Sequence, residues 1–133
     1  MKLSMAAELA VRGMITLCSH HGDGPVPLEE ICRSRALPKD YMIKIFGTLG
    51  RANLVSAVRG KKGGYVLGRL PKEITLLDIV EAIEGPIAVN LCQYDPPRCD
   101  QDNCAVRPIW TKLQKEVREA LGGQTLADLV CKE

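Results

Sequence analysis

Between Leu91 and Cys104 the chain reads LCQYDPPRCDQDNC, which places three of its six cysteines within one short segment. Six residues separate Cys92 from Cys99 and four separate Cys99 from Cys104, amid Pro, Asp and Asn. Thiolates spaced this way suit iron–sulfur, zinc or reversible thiol chemistry, and Pro96 and Pro97 deny the stretch a regular hydrogen-bond ladder. A loop so freed can turn several sulfurs inward. Zinc sites usually carry Cys-x2-Cys pairs, which this sequence lacks, and this weighs against zinc.

The remaining thiols and histidines suggest less. Cys18 and Cys32 fall among apolar residues of helical segments and read as small core hydrophobes, and Cys131 reads as an incidental thiol near the C-terminus. A thiol-dependent enzyme is not expected. The chain has no Cys-x-x-Cys and no glycine-rich phosphate loop, and His20 and His21 stand far in sequence from the cysteine segment.

Elements must carry that loop, and at 133 residues the chain is expected to form one domain. No run approaches the eighteen apolar residues of a membrane span, so no membrane association is expected. The start, MKLSMAAELAVRGM, is interrupted by Ser4, Glu8 and Arg12 where a secretory signal would be continuously apolar. The expected compartment is the cytoplasm, where thiols stay reduced and clustered cysteines point to metal or redox chemistry.

Charge divides the chain. Residues 33–72 carry Arg33, Arg35, Lys39, Lys44, Arg51, Arg59, Lys61, Lys62, Arg69 and Lys72 against a single acid, Asp40. Residues 73–105 invert the balance, with seven acids against Arg98 alone. A basic block nearly free of acids suits a polyanion such as double-stranded DNA better than it suits an ordinary solvated surface.

Apolar spacing predicts a first helix over 2–19 from Leu3, Ala6, Ala10, Met14 and Leu17, and a short second helix over 27–35. ALPKDYMIKIFGTLGRAN gives a third, opened by Pro38, with Met42, Ile45, Phe46 and Leu49 as its core stripe. Tyr41, Lys44, Thr48 and Arg51 form a separate polar and basic stripe, as on a helix laid in a major groove. LVSAVRGKKGGYVLG then reads as a β-hairpin whose tip carries Arg59, Lys61 and Lys62. Charged tips also keep hairpins from pairing edge to edge, but directly after a helix-turn-helix pattern such a hairpin reads as the wing of a winged helix. The expected DNA contacts are therefore Lys39, Tyr41, Lys44, Thr48 and Arg51 from the helix and Arg59, Lys61 and Lys62 from the wing.

Thr75 and Asp78 make a capping-box start for a fourth helix bearing Leu76, Ile79, Val80 and Ile83, ended by Gly85 and Pro86. Ala105 to about Leu121 predicts a long amphipathic helix with Val106, Ile109, Trp110, Leu113, Val117 and Leu121 on one side, and 124–130 a final turn or two. The apolar side of the long helix needs a partner surface, either its own domain or a second copy. A two-fold homodimer would match a palindromic operator. The expected architecture is mainly α with a small β-hairpin wing, a single unit over 1–133. It divides into a winged-helix DNA-binding part over about 1–84, a cysteine-containing cluster loop over 85–104, and a dimerisation helix and tail over 105–133.

MKLS at the start, PKDYMIKIFGTLGRANLV, RGKKGGYVLGRLPKEITLLDIVEAIEGP, the spaced cysteines, RPIW and the closing TLADLV together resemble the Rrf-type winged-helix transcription regulators. The likeness spans essentially the whole chain, and the wing with its flanks is its most specific part. That family includes IscR-like regulators of iron–sulfur biogenesis, NsrR-like nitric-oxide sensors and CymR-like cluster-free repressors of cysteine metabolism. The resemblance implies a homodimer that binds operator DNA through the third helix and wing and pairs through the long helix.

It further implies an iron–sulfur cluster, two-iron two-sulfur or four-iron four-sulfur, on Cys92, Cys99 and Cys104, sensing redox state, nitric oxide or iron–sulfur supply. IscR-like members place a histidine three residues after the last cysteine; this chain has Arg107, which does not ligate iron. In nitric-oxide-sensing members a carboxylate from the partner's first helix completes the site, and Glu8 stands at the corresponding position. Glu8 is equally the kind of first-turn acid that a helix dipole favours. Arg12 stands where a related redox sensor offers a histidine.

Overall fold

A computed structural model describes residues 2–130. The order is α1 (Met5–Ser19), α2 (Leu28–Arg33), α3 (Lys39–Arg51), β1 (Val55–Val58), β2 (Gly64–Leu67), α4 (Leu76–Glu84), α5 (Arg107–Gly122) and α6 (Leu126–Val130). Short 3-10 turns at Pro71–Glu73 and Leu91–Gln93 punctuate the connections. The fold is mainly helical with one two-stranded antiparallel hairpin, as expected of a winged helix. No helix among the described residues is long and apolar enough to cross a membrane.

The first helix begins at Met5 because Ser4 caps it: the Ser4 hydroxyl accepts from the Ala7 N–H at 3.1 Å. Glu84, the last residue of α4, accepts in turn from the Ser4 N–H at 3.1 Å and from its hydroxyl at 3.3 Å. Ala7, Leu9, Ala10, Met14 and Leu17 of α1 are buried, as are Met42, Ile45, Phe46 and Leu49 of α3. The helices cross closely at Gly13, where a Cβ would stand 2.8 Å from Phe46 Cε1 and 2.9 Å from Met42 Cε. Cys18 and Cys32 lie buried in the same core, as their apolar neighbours suggested.

The hairpin pairs Val55 with Leu67 through Val58 with Gly64. A single residue from the α1–α2 connection joins it: Val26 and Tyr65 exchange two backbone hydrogen bonds of 2.9 Å each. Gly64 lets that segment approach, since a Cβ there would sit 2.4 Å from the Val26 carbonyl. Tyr65 meets Phe46 edge-on, with ring centroids 4.9 Å apart, which ties the wing to α3.

The Thr75–Asp78 capping box forms, with hydrogen bonds of 2.9 and 3.0 Å. Ile79 and Val80 are fully buried, and Leu76 and Ile83 partly so. The same device recurs at α6, where Thr125 and Asp128 exchange bonds of 3.0 and 3.1 Å. The two caps lie side by side, because Leu76 N–H donates to the Gln124 carbonyl at 2.8 Å and Leu126 N–H to the Ile74 carbonyl at 2.9 Å. Leu126 is fully buried in the core, and α6 packs against α1. Cys131 lies outside the described residues.

Candidate functional site

Helix α3 presents its polar stripe outward. Tyr41, Lys44 and Arg51 are exposed and Thr48 partly so, while the opposite face fills the core. The stripe is held in order: Thr48 Oγ1 donates to the Lys44 carbonyl at 3.3 Å, and an Arg51 terminal nitrogen donates to Thr48 Oγ1 at 3.1 Å. Lys39 stands at the helix start with its Nζ 2.6 Å from Glu29 of α2. This hydrogen-bonded pair holds the Glu29 carboxyl below its ordinary range and raises the Lys39 ammonium. Lys39 thus braces α2 against α3. Burial pushes the nearby Cys32 thiol up, which suits a core residue rather than a nucleophile.

Sequence reasoning sorted α3 by charge and passed over Ile43, which is 49% exposed beside Lys44. An exposed apolar side chain on the same helix is the type that meets a thymine methyl. The signal was available, since Ile43 falls outside the core stripe of its own helix. Arg59, Lys61 and Lys62 are all exposed at the hairpin tip.

The cysteine segment runs beside α5. Cys92, Cys99 and Cys104 are free thiols, each half-buried. The segment is not wholly irregular, because Leu91–Gln93 forms a 3-10 turn capped by the Asn90 side chain. As the loop lies, no group of three His, Cys, Asp or Glu side chains among the described residues is gathered to hold a metal ion. Glu8 is half-exposed and pairs with Arg12 on its own helix at 3.0 Å. Arg107, at the start of α5, donates to the Gln101 carbonyl of the loop, while its Nε is buried without a partner.

How α5 is attached is the feature the sequence hid. Arg107, Thr111, Gln114 and Arg118 recur at four, three and four residues, one narrow face of a helix. Each makes a contact. Gln93 Nε2 donates to Thr111 Oγ1 at 2.9 Å. The Gln114 amide accepts from the Val89 N–H at 3.0 Å and donates to the Ile87 carbonyl. Arg118 meets Glu81 of α4 at 2.6 Å, and the same carboxylate oxygen accepts from the Ile87 N–H at 2.9 Å. The predicted apolar side lies on an adjacent face and stays open: no α5 residue is fully buried, and Ile109 is 60% and Val106 44% exposed.

These features have close counterparts among known proteins. The chain is 36% identical over 130 residues to the transcriptional regulator CymR of Bacillus subtilis (strain 168), covering 97% of this chain and 89% of that protein. It is 33% identical over 133 residues to the regulator IscR of Sodalis glossinidius, covering 100% and 81%. Among solved structures, CymR of B. subtilis, described as its global cysteine regulator, superposes with a TM-score of 0.88 at 34% identity, covering 100% of this chain and 98% of that one. IscR of T. potens superposes with a TM-score of 0.83 at 32% identity, covering 99% and 88%. The family model Rrf2, described as an iron-dependent transcriptional regulator, matches residues 3–132. With its winged helix and hairpin in place, the chain belongs to the Rrf2 family of transcriptional regulators.

Proposed function

We propose that the protein is a homodimeric, cytoplasmic regulator that binds palindromic operator DNA and is controlled by an iron–sulfur cluster on Cys92, Cys99 and Cys104. The observation that carries the reading is the set of three free, half-buried thiols on one loop beside α5. The donor chemistry fits such a group, because iron–sulfur clusters take thiolate ligands. Arg107 supports the fit from a second direction: a buried N–H without an acceptor, three residues past Cys104, suits an environment that gains negative charge. The sulfurs converge only if the loop turns them inward, which its proline-broken backbone allows. Glu8 of a second copy is the proposed fourth ligand, and it must leave Arg12 to serve.

When bound, such a group supplies one-electron chemistry and sensitivity to oxidants and nitric oxide. The chain's own part is to relay the state of the loop. The polar face of α5 ties the loop to α4 and hence to the winged-helix body, while the open apolar face of α5 is the proposed dimer surface. A shift of the loop therefore alters how two recognition helices are held relative to one another. DNA contact is assigned to Lys39, Tyr41, Lys44, Thr48 and Arg51 with Ile43 on α3, and to Arg59, Lys61 and Lys62 on the wing.

The test is anaerobic reconstitution followed by visible and Mössbauer spectra of wild type beside Glu8→Ala, with operator affinity measured with and without cluster. A coloured protein whose affinity changes on loading supports the reading. An unchanged cluster spectrum in Glu8→Ala removes Glu8 as a ligand. A protein that stays colourless with all three thiols reduced replaces the cluster by a zinc, thiol or cysteine-responsive switch of the same fold.

A further inference from the structure

We infer that Gln93 is the positioning residue that couples the Cys92 sulfur to the long helix, an assignment that rests on the reading of Cys92 as a cluster ligand. A primary amide nitrogen carries two N–H donors. In Gln93 that nitrogen has two acceptors within reach: Cys92 Sγ at 3.3 Å and Thr111 Oγ1 at 2.9 Å. One group therefore bridges a sulfur and α5. Its backbone is held as well, since the Gln93 N–H donates to the Asn90 carbonyl at 3.0 Å within the 3-10 turn that sets Cys92 and Gln93 side by side.

The place of this bridge gives it meaning. Arg107 binds the far end of the loop, Gln114 its beginning, and Arg118 reaches α4. Among these contacts of the polar face, the one at Thr111 leads to a cysteine side chain. An N–H aimed at a sulfur binds it more strongly as the sulfur grows more negative, and donors to ligand sulfurs raise the reduction potential of the group they hold. A change of charge at Cys92 Sγ is thus felt by the Gln93 amide, which also holds the second turn of α5. The amide positions a ligand and reports on it.

Gln93→Leu keeps size and removes both donors; Thr111→Val keeps shape and removes only the helix-side acceptor. Both are compared with wild type after anaerobic reconstitution, using a DNA duplex selected from a random pool by the wild-type protein. Gln93→Leu is expected to load to the wild-type visible absorbance, to move the midpoint potential negative, and to shrink the loaded-to-unloaded affinity ratio by about two- to tenfold, the range one hydrogen bond supports. Thr111→Val is expected to shrink the ratio with the midpoint unmoved. In the unloaded proteins both substitutions are expected to speed amide exchange at the start of α5. A fully loaded Gln93→Leu with unchanged midpoint, ratio and exchange overturns the assignment and leaves the cluster reading in place. Wild type that takes up no cluster overturns both.

Discussion

The winged-helix body and the loop–α5 region are held by opposite means. In the body, α1 and α3 interlock through Met14, Met42, Phe46 and Leu49, side chains all but excluded from solvent. The long helix has no fully buried residue and is fastened by a line of polar contacts at Arg107, Thr111, Gln114 and Arg118. Apolar packing is strong and insensitive to ionic conditions, whereas each exposed polar tie is weak and replaceable. A tightly packed winged-helix body is thereby joined to an attachment that can be remade at low cost. Segments that move in regulation are drawn from the less stable end of a structure.

The contrast can be broken most severely from the body. Phe46→Ala removes a fully buried ring shared by α1, α3 and the wing and should cost about 3–5 kcal/mol, read by chemical denaturation. Glu81→Ala strips the common acceptor of Arg118 and the Ile87 N–H and should cost only about 1–2 kcal/mol, with the loss confined to exchange protection of α5 and residues 87–89. Equal costs for the two would erase the distinction.

At the proposed DNA contacts, Lys61→Ala or Lys62→Ala should leave the denaturation midpoint in place. Either should weaken binding to all sequences alike and lower the slope of log affinity against log salt by about 0.9, whereas Ile43→Ala should relax sequence preference. The smallest effect belongs to the exposed Lys39–Glu29 pair. Because the folded-state value of Glu29 is lowered, its contribution is present above the ordinary carboxylate value of 4.5 and is lost as pH falls through the lowered one. Glu29→Gln should therefore separate from wild type slightly in thermal midpoint at neutral pH and converge with it in acid. Lys39 has a raised value, so its share persists until pH climbs through that value.

The body was legible in the sequence because its signals are local. The α3 core stripe repeats with the helix, the Thr75–Asp78 box spans four residues, and the glycine-flanked cationic tip announces a hairpin. What escaped reading joins distant residues. Nothing near Val26 predicts its pairing with Tyr65, and nothing near Glu84 predicts that it holds Ser4. Thr111 and Gln114 look like ordinary solvated positions until Gln93 and Ile87 are set against them. The apolar side of α5 drew attention for its hydropathy, yet the intramolecular attachment is polar. At the thiols, the residue types and spacing suggested the chemistry, while the placement of the sulfurs depends on a loop with no periodic signal to read.

The side-by-side caps at Thr75 and Thr125 have an architectural consequence. Because Leu76 bonds Gln124 and Leu126 bonds Ile74, the chain returns to the start of α4 once α5 is finished, and α6 completes the core. Residues 87–122 are then an excursion that leaves from the end of α4 and returns to its start. Its two ends are separated by little more than the length of α4, about 14 Å for nine residues. Lengthening a flexible excursion costs little, since closure entropy grows only with the logarithm of length. The body can therefore serve as a socket and the cysteine segment as an exchangeable cartridge, one whose length and residue spacing can be rewritten without disturbing the winged-helix core.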